Sequence, residues 1–340
     1  MPALGAVLVA GFIGGLVALL SGGSHPRHAV VNRPPPAAKG FHVEQGRIIA
    51  PDGRVFLVKG VVAVYGTFAG GDQAGLGAVN YSAARSDFAL LRRFGANTVR
   101  IFVTPATAAP KQFARLRQSV AWARQQGLVV EVSNAFSDFA SSVPWLRKLA
   151  ATFKDDPYVW LEPMNEPGCS PKPDPLLCGN WRAWQSQERA YIRAIRSAGM
   201  TAPIVINTPN WSSSVEQVAV YPLGDPNLVF GVHDYGNNRA GVAGSDVTQY
   251  QRSWASTDGP LAVMVDEVGS WNGDQFANSA NWLRQFVGLV RGWVMHGRGS
   301  GAIGFVWRWS DPNTMTSGNQ LTDWGRLFVS DYLQAVPGER

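Results

Sequence analysis

Cysteine is scarce in this chain, because Cys169 and Cys178 are the only two among 340 residues. Both follow the fourth predicted strand, and a disulfide closing this loop would stabilise the fold by about 2–3 kcal/mol. Such a bond would indicate an oxidising compartment, whereas two free thiols would fit the cytosol. Cys169 has no histidine at a plausible spacing to make it a nucleophile, and His233 has no second His or Cys within metal-ligand spacing. We therefore expect neither a thiol enzyme nor a bound metal.

Charged residues are also few, at 16% of the chain against 46% hydrophobic ones, which is typical of a folded globular protein. The net charge of +6 includes three residues near the N-terminus, Arg27, Arg33 and Lys39, and no dense Lys/Arg stretch follows them. A dispersed excess of this kind argues against a nucleic-acid partner.

The apolar run Leu4–Leu20 lacks a basic residue before it. Its 17 residues are few for a membrane span and suit the core of a signal peptide. Residues 1–23 therefore read as a signal peptide or, if uncleaved, as a membrane anchor. Residues 24–40 are rich in Pro and Gly and predict an extended linker. We expect the folded domain over residues 41–340, in a secreted or periplasmic protein or one anchored to the membrane.

Eight short runs rich in β-branched residues alternate with amphipathic segments such as Lys111–Gln126, Trp181–Ala198 and Phe276–His296. This alternation predicts parallel strands joined by helices. The strands are predicted at 58–64, 98–103, 129–133, 159–164, 204–207, 229–233, 262–267 and 303–307.

No Gly-rich phosphate loop follows the first of these strands, which counts against an open nucleotide-binding sheet. Eight strand–helix units favour an α/β fold of the (β/α)8 TIM barrel kind. Ahead of the barrel, Val43–Ile49 and Val55–Val58 are joined through Pro51-Asp52-Gly53, which predicts a short N-terminal β-hairpin.

Two glutamates lie at the C-terminal ends of predicted strands: Glu166 just beyond the fourth strand and Glu267 as the last residue of the seventh. The C-terminal strand ends form the mouth of a barrel, where reacting residues lie. A protonated carboxyl group about 5–5.5 Å from an ionised one is the arrangement that retaining glycosidases use. His233 and Tyr235 share one face of the sixth strand and can contact the same site. Asn165-Glu166-Pro167 alone would equally fit a helix cap, and it is the register with Glu267 that favours catalysis.

These strand ends together resemble those of glycoside hydrolase family 5, the barrel family of cellulases and mannanases. The resemblance covers roughly Phe41 to Asp311 and includes an Arg on the second strand, Arg100. The matching motifs, in chain order, are Asn165-Glu166-Pro167, His233-x-Tyr235, Glu267-x-Gly269 and a final Trp307.

The resemblance implies a role for each matching residue. Glu166 would be the acid/base and Glu267 the nucleophile, while Glu162 would lie deeper in a buried ion pair. The substrate-binding and positioning residues would be Asn165 at the sugar 2-hydroxyl, Arg100 and Tyr235 beside the nucleophile, His233, and Trp307 as a sugar platform with Trp309 sharing that duty. Where family members often carry a His after the third strand, this chain has Ser133 or Asn134, which leaves substrate choice open.

Tryptophan is abundant, at 13 residues, and aromatic rings serve both as core and as sugar platforms. Trp181, Trp211 and Trp271 follow predicted strands, where stacking against a sugar and packing at the rim are equally plausible. 

The sequence therefore predicts a retaining glycoside hydrolase that cleaves a β-1,4-linked polysaccharide by double displacement, as a cellulase-like endo-β-1,4-glucanase before a β-mannanase. We expect it to act as a monomer on polysaccharide or oligosaccharide, without a metal or organic cofactor. A transglycosylase would share every residue and stays open. A non-catalytic carbohydrate-binding barrel also stays open, although such a protein typically loses one glutamate.

Overall fold

The computed structural model describes residues 40–63, 84–135, 139–167, 179–212, 215, 217–234, 261–269, 276–308 and 314–339, with the backbone alone over 276–283. The predicted signal or anchor and most of the linker lie outside these residues. So do Tyr235, Trp309 and the predicted Cys169–Cys178 disulfide. No described helix has both the length and the apolar character that crossing a membrane requires.

Eight parallel strands close into a barrel in chain order, and the last strand pairs with the first. Every strand residue is buried, as expected of Val- and Ile-rich parallel strands covered on both faces. This architecture confirms the predicted (β/α)8 TIM barrel. The barrel strands are β3 (Val58–Val62), β4 (Thr98–Val103), β5 (Val129–Asn134), β6 (Val159–Glu162), β7 (Ile204–Asn207), β8 (Leu228–Asp234), β9 (Ala262–Val268) and β10 (Gly301–Gly304).

Among the described residues, helices connect five pairs of successive barrel strands. The three helices predicted at 111–126, 181–198 and 276–296 are observed with bounds that differ by one residue at most. After α1 the chain turns toward β4 at Gly95, which has a φ of 96°. A Cβ there would lie 2.7 Å from the Leu333 carbonyl oxygen, so only glycine fits. The described helices are α1 (Ala84–Arg93), α2 (Pro110–Gln125), α3 (Phe139–Phe153), α4 (Trp181–Ser197), α5 (Phe276–Met295) and α6 (Asp323–Phe328).

The N-terminal hairpin is present, but its turn differs from the predicted one. β1 (His42–Glu44) and β2 (Arg47–Ile49) pair antiparallel across Gln45 and Gly46. Both turn residues have positive φ, 50° and 72°, the conformation that tight two-residue hairpins require. The predicted turn at 51–53 also forms, and it brings the following residues back to pair briefly with β2.

The eighth barrel strand ends at Gly304, earlier than predicted. The chain beyond it still runs between its neighbours, because the Phe305 N–H donates to the Val268 carbonyl and the Trp307 N–H to the Val62 carbonyl, each at 2.8 Å. A second short hairpin follows, formed by β11 (Thr316–Ser317) and β12 (Gln320–Leu321).

Candidate active site

Three predicted site residues meet at the C-terminal end of the barrel: Glu166 after β6, His233 on β8 and Glu267 on β9. One side-chain oxygen or nitrogen from each lies within 4.8 Å of the others. We call these three residues the mouth cluster. Its two carboxylates are closer to the spacing of retaining glycosidases than to the 6.5–9.5 Å of inverting ones.

Glu166 lies beyond the end of β6 in a conformation that L-residues seldom adopt. Its φ is 48°, a strained conformation for a non-glycine residue, and active sites are among the places where such residues cluster. Its N–H donates to Oδ1 of Asn207, the last residue of β7, at 3.1 Å. The Glu166 side chain is 24% exposed, so it can reach a ligand in the mouth.

Glu267 is nearly buried, and its carboxylate contacts the guanidinium Nη1 of Arg100. Arg100 also donates from Nη2 to Oδ1 of Asn165 at 2.6 Å and to Oε2 of Glu162 at 2.6 Å. The Ser133 hydroxyl accepts a longer bond from the same nitrogen, at 3.4 Å. Arg100 therefore fixes Glu267 and Asn165 relative to each other, and the predicted buried ion pair of Glu162 is present.

A β-bulge in β9 brings Glu267 into the barrel. The pairing of β8 with β9 runs from Val232 with Val265 to His233 with Glu267, which leaves Asp266 as an extra residue. Successive strand residues normally face opposite sides, and a bulge re-aims one of them. Both Asp266 and Glu267 consequently contact polar groups inside the barrel.

His233 connects the two carboxylates of the mouth cluster. Its Nδ1 lies 2.7 Å from Oε1 of Glu166 and 3.5 Å from Oε2 of Glu267, while its Nε2 lies 3.5 Å from Oδ1 of Asp266. Burial lowers the pKa of His233, but the negative charges of Glu267 and Asp266 outweigh it and hold this pKa well above its usual value. The imidazolium form of this ring is therefore favoured more than it is in a free histidine.

A second acidic group, which we call the inner cluster, consists of Glu131, Glu162 and Asp266, and all three side chains are fully buried. The Arg100 Nε lies 2.8 Å from Oε1 of Glu131. Burial raises the pKa of Glu131 well above its usual value, the charge of Arg100 only partly opposes this, and neighbouring Glu162 adds to it. Glu131 therefore stays protonated where a surface glutamate would be ionised.

Both clusters have the side-chain types and the closeness that a metal ion requires. At the mouth, however, the Arg100 cation already contacts Glu267, and a divalent ion would have to displace the proton on His233. The same guanidinium lies among the inner carboxylates. The charge that a metal would supply is thus provided by Arg100.

The predicted aromatic platform is not brought to this site. The Trp307 side chain is fully buried, and its ring centroid lies 6.1 Å from that of Phe94, just after α1. In this position Trp307 offers no face to a sugar and packs in the barrel wall. Trp181 is also buried, whereas Trp211 is 46% exposed. The backbone N–H of Trp211 donates to the carbonyl of Pro167, the residue after Glu166, at 3.3 Å.

Sequence reasoning missed Asn207, Asp266 and Glu131. Asn207 and Asp266 stand at the ends of predicted strands, directly before the mouth, so their positions could have marked them. Glu131 sits mid-strand among valines, and a charged residue within a buried run is the signal that was available for it.

Comparisons with known proteins agree with this geometry. The sequence model described as Cellulase (glycosyl hydrolase family 5) matches residues 67–311. A mannan endo-1,4-beta-mannosidase of Streptomyces lividans is 27% identical over 317 residues, covering 84% of this chain and 74% of the relative. A beta-mannanase/endoglucanase A of Caldicellulosiruptor saccharolyticus is 28% identical over 46% of this chain and 12% of its own length.

Among solved structures, the catalytic domain of the major endoglucanase from Xanthomonas campestris pv. campestris superposes with a TM-score of 0.69. The match covers 87% of this chain and all of that domain at 17% identity. At this identity the similarity supports the fold.

Proposed function

Since this chain belongs to the cellulase family, glycosyl hydrolase family 5, and is thus a glycoside hydrolase, we propose that Glu166 and Glu267 cleave a β-1,4-linked polysaccharide with retention of configuration. The observation that carries this proposal is the closeness of the two carboxylates, within 4.8 Å across the mouth. At that spacing one carboxylate reaches the anomeric carbon directly, without room for an intervening water.

In the first step Glu267 attacks the anomeric carbon while Glu166 gives its proton to the glycosidic oxygen. The contact with Arg100 supports this assignment, because a guanidinium beside Glu267 favours the ionised form that attacks. A covalent glycosyl-enzyme forms, and the leaving chain departs with the proton from Glu166.

In the second step Glu166, now ionised, takes a proton from a water molecule as the water oxygen attacks the anomeric carbon, and the bond from that carbon to Glu267 breaks to leave Glu267 ionised. The sugar leaves with its original configuration, and Glu166 is protonated again. The imidazolium of His233, 2.7 Å from Glu166, suits this step because it stabilises the ionised carboxylate. Asn165, held by Arg100, remains our candidate for the sugar 2-hydroxyl, and Tyr235 our candidate for a second partner of Glu267.

We propose glucan as the polymer, cleaved internally, on the family description and the endoglucanase names among its relatives. Mannan is the second candidate, because the Streptomyces lividans relative that matches 84% of this chain is a mannan endo-1,4-beta-mannosidase.

The test measures reducing-sugar release by the full chain on carboxymethyl cellulose, mixed-linkage β-glucan, mannan and xylan. The variant Glu166→Gln should lower kcat by about 10²–10⁴-fold, and Glu267→Gln should abolish turnover. Glu44→Gln, on an exposed side chain of the hairpin, is the matched control and should behave as wild type. Proton NMR should show the β-anomer first, and an initial α-anomer would contradict retention.

We further propose that the enzyme acts outside the cytoplasm. The apolar run at residues 4–20 and the pair Cys169 and Cys178 support this. Thiol alkylation of the protein from its native host, with and without reductant, tests it: two thiols that react without reductant would argue against an oxidising compartment.

A further inference from the structure

Asp266 is a buried charge to which the two-step mechanism assigns no part. Its side chain has no exposed surface, and it is the extra residue of the bulge in β9. The space that it occupies exists because residue 231 is a glycine, since any Cβ at Gly231 would collide with the Asp266 carboxylate. An ionised carboxyl group is costly to bury, so its surroundings show what it holds in place.

One oxygen of Asp266 holds the backbone of Glu166 through a single intermediate. Oδ2 accepts a hydrogen bond from Nδ2 of Asn207 at 2.8 Å. The Oδ1 of the same Asn207 amide accepts the N–H of Glu166 at 3.1 Å. Asp266 thus fixes which way the Asn207 amide faces, and that amide stabilises Glu166 in its unusual positive-φ conformation.

The other oxygen faces His233. Oδ1 of Asp266 and Nε2 of His233 lie 3.5 Å apart, and among the described residues neither atom has a hydrogen-bond partner. Nδ1 of the same ring lies 2.7 Å from Oε1 of Glu166. A hydrogen on Nε2 would point toward a carboxylate, which leaves Nδ1 free to exchange a hydrogen with Glu166.

We propose that Asp266 is a positioning residue that aims Glu166 through two arms. The backbone arm runs through Asn207 and holds the Glu166 N–H, and the side-chain arm runs through the Nε2–H tautomer of His233 and holds the Glu166 carboxyl group. This inference rests on the proposed function, in which Glu166 is the acid/base. One proton then moves between Nδ1 of His233 and Oε1 of Glu166, while the Nε2 proton stays facing Asp266. An aspartate that fixes the tautomer of a histidine serves triad hydrolases in the same way.

The charges around these groups agree with this role. His233 faces Glu166, Glu267 and Asp266. Asp266 faces Arg100 at 4.0 Å and shares the inner cluster with Glu131 and Glu162. Burial raises the pKa of Asp266, but His233 and Arg100 more than offset this and leave it below its usual value, so Asp266 is ionised throughout the range in which His233 titrates.

The test compares two variants of the full chain on the polysaccharide that the wild type cleaves. Asp266→Asn keeps the shape, loses the charge and offers an N–H to Nε2. We expect kcat to fall by about 10–100-fold through misaiming of Glu166, with KM little changed. The alkaline limb of the kcat/KM profile should move to lower pH, because the proton shared by His233 and Glu166 loses the anion that retains it.

Asn207→Ala removes the backbone arm alone, so kcat should fall while the alkaline limb stays in place. Glu188→Gln is the matched control, because it changes another buried carboxyl group, on α4. It should leave kcat and the alkaline limb unchanged. Wild-type kcat and an unmoved alkaline limb in a folded Asp266→Asn variant would overturn the proposal.

A measurement on the wild type keeps the proposal testable if Asp266→Asn does not fold. The chain has five histidines, and the ¹⁵N signals of His233 can be assigned by their loss in His233→Gln. Once the ring is neutral, we expect the Nε2–H tautomer, and an Nδ1–H tautomer would contradict the role of Asp266. This readout does not need turnover, so it separates a failure of this inference from a failure of the proposed function, which an inactive wild type would reveal.

Discussion

The mouth cluster and the inner cluster contain similar groups in different surroundings. In the mouth cluster, the Glu166 side chain is 24% exposed and can exchange a proton with a ligand. In the inner cluster, all three carboxyl groups are sealed from solvent. Both clusters contact the same guanidinium, that of Arg100. One arginine therefore serves two purposes: it holds Glu267, which we propose to be the nucleophile, and it compensates the charges of the buried inner cluster.

The difference shows how the barrel accommodates so many acids. The inner cluster keeps one member protonated, because burial raises the pKa of Glu131. The remaining charge is met by Arg100 and, at Asp266, by the imidazolium of His233. The site at the mouth is thus supported from below by a buried charge network, and each part of this network can be removed separately.

Removing Arg100 should have the largest effect, since both clusters lose their cation. Arg100→Met keeps much of the volume and leaves buried carboxylates uncompensated. We expect the free energy of unfolding to fall by about 3–5 kcal/mol or more, together with loss of activity, as measured by urea unfolding and reducing-sugar assay. Arg124→Met, which breaks a partly exposed pair with Asp156, is the control and should cost about 1 kcal/mol or less. Equal losses in the two variants would show that Arg100 is not shared as described.

Within the inner cluster, replacing either glutamate by glutamine should have unequal effects. Glu162→Gln removes the charge of the carboxylate that accepts hydrogen bonds from Nε and Nη2 of Arg100. The free energy of unfolding should fall by about 3 kcal/mol. Glu131→Gln replaces a carboxyl group that is already neutral, and its amide can face Arg100 with oxygen and Glu162 with nitrogen. We expect the stability of Glu131→Gln to be close to that of the wild type at acidic pH.

The pH dependence of Glu131→Gln follows from the raised pKa of Glu131. Between the unfolded pKa and the folded one, the folded protein binds more protons, so the stability of the wild type falls as pH rises. Glutamine removes this contribution. The variant should therefore match the wild type near pH 4 and exceed it near pH 8, as urea midpoints would show. A variant less stable than wild type at pH 8 would mean that Glu131 is ionised in the fold.

The sequence predicted the barrel well because its strands are buried on both faces and rich in Val and Ile. The eighth strand was misplaced because it begins and ends in glycine, at Gly301 and Gly304, which has low strand propensity. The hairpin turn was missed because Gln45-Gly46 is not one of the usual turn pairs.

The two glutamates were also predictable, since each lies at the C-terminal end of a predicted strand. The bulge at Asp266 was not, because strict alternation places Asp266 and Glu267 on opposite faces. The position of Trp307 likewise depends on how the chain runs after β10, which the residue pattern does not encode. The sequence therefore marked the two glutamates that we propose to be catalytic, and the structure was needed to find Asn207 and Asp266, which we propose to position Glu166.

The smallest expected effect comes from Trp211, which is 46% exposed at the rim of the mouth, in contrast to the buried residues of the inner cluster. Its exposed side chain and its place beside Pro167, the residue after Glu166, make it our candidate for stacking against a sugar. Trp211→Ala should raise KM for a long substrate by about 5-fold, the value of roughly 1 kcal/mol of aromatic stacking, with kcat unchanged. The free energy of unfolding should change by about 1 kcal/mol or less. Met295→Ala, similarly exposed at the end of α5, is the control for a lost apolar surface. If both variants keep the wild-type KM on hexasaccharides and polymer alike, Trp211 only packs at the rim, and the mouth depends on its polar groups alone.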